Sequence, residues 1–184
     1  MNHLLTTAVA TLIVAAIPLT GPLAATPNFE EVPPQSIVIS LQSDPLKNQE
    51  PACVTLQLGM GILKSRARGQ GDTGDDDEVT IFATLDGVGI ANEKVMARPE
   101  LSVAPAKFCK TVSQGGALLD PVPLPEMLDR YLAAGGKILA CPLCWVIKFG
   151  DLAQSMVDLI DYDDQVYIDS PVPLFLRADK VIDY

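Results

Sequence analysis

Cys141 and Cys144 stand three residues apart in Ala140-Cys-Pro-Leu-Cys-Trp145. They follow a short apolar run, Lys137 to Ala140, and precede a segment able to form a helix. Such a pair sits where a strand ends and a helix begins. A helix N-terminus carries unpaired N–H groups and a partial positive charge, and both favour thiolate over thiol. Thiolate is the nucleophilic form of cysteine, so the pair is a candidate reactive centre. Three chemistries suit it: sulfur transfer through a persulfide, thiol–disulfide exchange, and thiolate binding of a soft metal. A fourth reading is inert: the two residues close a disulfide or fill a core, as small hydrophobes do.

The surroundings narrow the choice. The only histidine is His3, inside a segment that reads as a leader. Removal of that leader leaves no histidine, which excludes Ser-His-Asp and Cys-His catalysis and the usual histidine-bearing zinc sites. Cys-x-x-Cys supplies half of a tetrahedral site, and Cys53 and Cys109 lack a matching spacing for the other half. A site shared between two subunits stays open. The net charge of -10 and pI near 4.4 argue against nucleic acid and anionic membrane surfaces as partners. Asp75, Asp76, Asp77, Asp161, Asp163 and Asp164 carry much of this charge and read as solvated loops.

Leu4 to Ala25 contains no charged residue and ends in Leu23-Ala-Ala25 after Pro18, Gly21 and Pro22. The pattern reads as a signal peptide over residues 1–25, with an uncleaved membrane anchor as the alternative. The expected location is periplasmic or secreted, and a membrane is expected only if the leader stays. In an oxidising compartment disulfides persist, and the remaining cysteines, Cys53, Cys109, Cys141 and Cys144, are even in number. Their connectivity is not readable from sequence.

The elements that must position the pair follow from patterning. Residues 26–35 form a Pro-rich extended lead-in to a domain over 36–184. The β-branched runs Ser36 to Gln42 and Val79 to Leu85 read as buried strands. Lys137 to Cys141 is a third, and Gln165 to Ile168 and Val181 to Tyr184 are two more. Pro51 to Arg68 reads as a helix weakened by Gly59 and Gly61, unless another backbone packs closely there. Leu124 to Ala134 is a helix stopped by Gly135-Gly136, and Asp151 caps another over Leu152 to Ile160. Pro173 to Ala178 reads as a helical turn, and Pro99 to Pro123 as irregular. Strands alternating with helices give an α/β fold with a mostly parallel sheet. Sites in such sheets lie at the carboxyl ends of strands. The loops after Leu41, Leu85 and Ala140 bring Cys53, Asp86-Gly87 and Cys141/Cys144 towards one edge. Cys53, Asp86, Gly87 and Trp145 are therefore candidates to line the site. For Cys53 and Trp145 a core role competes with this, and for Asp86-Gly87 a plain turn does.

Three segments together resemble the DsrE/DsrF-like family of small sulfur-relay proteins, including its TusD type. They are Ala52 to Leu63, Val79 to Val88, and Leu128 to Gly150, the last reading helix, Gly-Gly, strand, Cys-Pro-Leu-Cys, Phe-Gly. The resemblance implies a three-layer α/β/α domain with a five-stranded parallel sheet, and it implies oligomers. It places a persulfide-carrying cysteine at Cys141 or Cys144, with protein or small polysulfide donors and acceptors and no metal or other cofactor. The leader, the acidic loop at Gly69 to Glu78 and the second cysteine depart from the cytoplasmic members. Within the pair, Cys141 is expected to be the more exposed carrier and Cys144, inside the first helical turn, the resolving partner. Thiol–disulfide exchange is the second expectation, although thioredoxin-like domains place their pair after an early strand. A non-catalytic metal-binding or assembly role is the third.

Overall fold

The computed structural model describes residues 35–66, 78–103, 109–112 and 118–183. The leader and most of the lead-in and of the acidic loop lie outside these residues. Strand β1 (Ser36–Leu41) is followed by helix α1 (Glu50–Arg66) and strand β2 (Glu78–Ala83). A 3₁₀ segment, Leu85–Ala91, leads into the short α2 (Glu93–Met96). Strands β3 (Lys110–Val112) and β4 (Leu118–Pro121) pair antiparallel as a small separate sheet. Helix α3 (Leu124–Ala133), strand β5 (Lys137–Ala140) and helix α4 (Pro142–Phe149) come next. The chain closes with α5 (Leu152–Ser155), β6 (Val166–Ile168), α6 (Val172–Arg177) and β7 (Lys180–Asp183).

Five strands form one sheet in the order β6-β5-β2-β1-β7, and every neighbouring pair is parallel. Alternation along each strand sorts its side chains between two faces. Ile37, Ile39, Leu41, Val79, Ile81, Ala83, Ile138 and Ala140 face a large core closed by α1 and α3. Val38, Phe82 and Leu139 face the other way, under α6. Phe175 of α6 meets Phe82 edge to face at 5.2 Å. The fold is thus three-layered α/β/α.

Two expectations change. The stretch from 99 to 123 contains the β3–β4 pair rather than only irregular chain. The helix after Asp151 stops at Ser155 and tightens to a 3₁₀ turn, Met156–Asp158. Gly59 has a purpose, though the group that packs there is a ring and not a backbone. A Cβ at Gly59 or Gly136 would strike the ring of Tyr131. Tyr131 is fully buried, and its hydroxyl donates to the Val79 carbonyl at 2.8 Å and accepts from Lys137 N–H at 3.2 Å. It ties the start of β2 to the start of β5. Burial pushes its phenol well above the ordinary value.

Candidate functional site

Three strands end side by side at the carboxyl edge, and backbone bonds lace their exits together. Thr84 N–H donates to Leu41 O at 2.9 Å, and Cys141 N–H donates to Ala83 O at 2.8 Å. Gly87 seals the loop after β2: a Cβ there would run into the Leu41 carbonyl, so only glycine allows the approach. Asp86 precedes it, exposed at the surface. Asp86 and Gly87 follow β2 at this edge, and Cys141 and Cys144 follow β5.

Cys141 is the N-cap residue of α4, with Pro142 in the first turn, where a missing N–H does no harm. The Cys141 sulfur accepts from the backbone N–H of Cys144 at 3.4 Å. Cys144 lies inside that turn, and its sulfur sits 3.4 Å from the Thr84 hydroxyl. The backbone N–H of Leu85 adds to the groups that favour the Cys144 thiolate. Both cysteines are free and both are half-buried, so exposure does not separate them as the sequence reading expected.

Electrostatics does separate them. Burial pushes the Cys141 thiol up, and its S–H, held as a donor to Cys144, pushes it further. Burial alone would also raise Cys144. Donation from the Cys141 S–H, the Thr84 hydroxyl and the Leu85 N–H outweighs it, and the thiol falls below its ordinary value. The balance of these groups favours ionisation at Cys144 over Cys141. Leu85 holds φ at 48°, a left-handed conformation that side chains rarely adopt. Strain of this kind collects at sites that need a fixed backbone donor.

Two of the expected lining residues lie elsewhere. Cys53 is fully buried and forms a disulfide with Cys109. The face of α1 that carries it turns into the core, so its sulfur is neither free nor at the edge. Trp145 is fully buried too. Its indole N–H donates to Ser155 Oγ at 2.8 Å, and that hydroxyl donates to Asp151 O at 2.8 Å, which fastens α4 to α5. Sequence reasoning missed Thr84 and Lys148. Lys148 Nζ donates to Asp86 O at 2.8 Å and lies 3.2 Å from Asp44 Oδ2. The outward face of α4 carries exposed Leu143, Val146 and Ile147 beside the pair. Among the described residues, no three His, Cys, Asp or Glu side chains group as a metal site. No described helix is long and apolar enough to cross a membrane.

This fold is similar to that of the YchN protein from E. coli. The likeness covers 82% of this chain and 99% of that one, at 18% identity and a TM-score of 0.51. YchN has a DsrE/TusD-like fold, so the resemblance read from the three segments holds at the level of architecture. At 18% identity with YchN the likeness is one of fold alone. No family model matches the sequence, and no curated protein matches it.

Proposed function

We propose that the chain is a DsrE-like protein that carries sulfane sulfur on the Cys141/Cys144 pair, with Cys144 as the carrier. The observation behind this is the Cys144 sulfur, half-buried at the carboxyl edge and met by the Thr84 hydroxyl at 3.4 Å. A nucleophilic thiolate at a helix start is what the reaction needs, without metal or histidine.

The Cys144 thiolate attacks the terminal sulfur of a donor persulfide, R–S–SH. The donor S–S bond breaks, R–S⁻ leaves, and Cys144 becomes Cys–S–SH. An acceptor thiolate takes the terminal sulfur in the same way and regenerates the Cys144 thiolate. In a side branch the Cys141 thiolate attacks the Cys144 sulfur. HS⁻ leaves with the electron pair, and a Cys141–Cys144 disulfide remains. Restoring the two thiols takes two electrons from two external thiols, which leave as their own disulfide, and this is the thiol–disulfide reading of the same pair. This carrier order differs from the sequence expectation; it is supported by the Thr84 hydroxyl beside the Cys144 sulfur, while the Cys141 sulfur accepts the cap N–H of Cys144.

The buried Cys53–Cys109 disulfide supports an oxidising compartment, in line with the leader read from the sequence. The donors and acceptors are proteins or small polysulfides, and the chain assembles with copies of itself. The test is intact-mass analysis after polysulfide treatment. A gain of about 32 Da that reductant removes, one sulfur added as in persulfidation, is expected in wild type and Cys141→Ser and absent in Cys144→Ser. No gain, with a stable loss of two hydrogens beyond those of the Cys53–Cys109 disulfide, would assign the pair to disulfide exchange instead. Metal retained without chelator would assign it to metal binding.

A further inference from the structure

Lys148 lies four residues after Cys144 on α4, and its side chain is only 17% exposed, low for a lysine. Its Nζ donates to the Asp86 backbone carbonyl at 2.8 Å and lies 3.4 Å from Asp86 Oδ1. On its other side stands Asp44 Oδ2 at 3.2 Å, a carboxylate itself only 10% exposed. Lys47 joins the same group, 3.3 Å from Asp86 Oδ2 and 3.8 Å from Asp44 Oδ2. One lysine from the helix after β5 thus grips the loop after β1 and the loop after β2. No step of the sulfur chemistry uses it.

What it grips is the turn that serves Cys144. Thr84 holds its hydroxyl 3.4 Å from the Cys144 sulfur, and Leu85 follows it in the chain. Leu85 is held at φ 48° and its side chain is 60% exposed, so its own side chain adds little packing to keep it there. Anchors lie on both sides of it. Before it, Thr84 N–H bonds Leu41 O. After it, Asp86 O receives the Lys148 ammonium. We propose that Lys148, braced by Asp44, is a positioning residue that holds the Thr84–Gly87 turn against α4 and so keeps the Thr84 and Leu85 donors aimed at the Cys144 sulfur. This rests on the pair being the reactive centre, and not on sulfur being its cargo.

A lysine near a thiol can also act by its charge alone. The ionisable groups at this edge are Asp44, Lys47, Asp86, Lys148 and the two thiols, and Asp44 separates the two explanations by sign. Asp44→Asn removes a negative charge, so a through-space field would make the Cys144 thiolate easier to form. Loosening the turn makes it harder. The substitution keeps the local Asx turn, because an amide oxygen still accepts the Leu46 N–H now bonded at 3.0 Å.

The experiment measures alkylation of Cys144 by iodoacetamide against pH in the full chain, with the modified cysteine read by peptide mass. Lys148→Met and Asp44→Asn are both expected to move the midpoint upward. Each should slow Cys144 near neutral pH by at least about threefold, the effect of half a pKa unit. Lys148→Arg should recover part of the loss, with far-UV circular dichroism unchanged throughout. These shifts support the proposal whether or not the pair takes up sulfur. A downward shift in Asp44→Asn, or an unchanged profile in Lys148→Met, overturns it. If Lys148→Met does not fold, Asp44→Asn and Lys148→Arg carry the same decision.

Discussion

At Cys144 the neighbouring thiol, the Thr84 hydroxyl and backbone N–H groups outweigh burial, and at Cys141 the cap N–H works against burial and a neighbouring thiol. The sign of the pH dependence follows. A thiol with a lowered pKa is thiolate, and reactive, above that lowered value, and it loses reactivity as pH falls through it. Cys144 should therefore alkylate with a midpoint below the ordinary thiol value of about 8.5. Cys141 should stay protonated until pH rises past that value. Thr84→Val tests the source of the difference. It removes the hydroxyl at nearly the same shape, so the Cys144 midpoint should rise and the reaction near neutral pH should slow several-fold. Rates resolved by residue check both statements. The pair itself was legible in the sequence, because two cysteines at a strand-to-helix junction carry a local signal. Thr84 was not, because it lies 60 residues from Cys144 and only the pairing of β2 with β5 brings the two together. Lys148 reads locally as an ordinary polar residue on an apolar helix.

Among the elements, the turn after β2 has the least room. Gly87→Ala should destabilise the domain by about 1–3 kcal/mol, the usual result of forcing atoms into a filled site. Urea unfolding checks this, with Gly61→Ala as a control, since a Cβ at Gly61 meets nothing within 4 Å. The same change should also displace the Thr84 and Leu85 donors, so Cys144 should lose reactivity before the fold is lost. The strands were readable because β-branched runs bounded by turns have few other uses. The β3–β4 pair was not, because Lys110–Val112 is three residues long and its partner is set by pairing rather than by pattern. The short α5 was overread for a related reason. Its apolar residues continue past Ser155, but the chain tightens there into a 3₁₀ turn.

For the whole molecule, four cysteines divide into two classes. Cys53 and Cys109, 56 residues apart, staple α1 to the chain before β3, while Cys141 and Cys144 stay open at the edge. The sequence left the connectivity open, since each cysteine of the staple sits alone. The native protein should therefore yield two titratable thiols with Ellman's reagent, matching the two free cysteines. Unfolding without reductant should leave that number unchanged, and unfolding with reductant should raise it to the four in the sequence. Cys53→Ala together with Cys109→Ala should lower stability by about 2–4 kcal/mol, as loss of a structural disulfide usually does, and leave the two edge thiols titratable. The bond from Cys144 N–H to the Cys141 sulfur has one more consequence. It holds the Cys141 sulfur over the start of the helix, and closing a Cys141–Cys144 disulfide draws that sulfur to about 2 Å from the Cys144 sulfur instead. The first turn of α4 therefore tightens or slackens with the oxidation state of the pair. Leu143 rides on that turn, exposed and between the two cysteines in sequence, so the surface a visiting molecule meets should differ between the reduced and the spent protein.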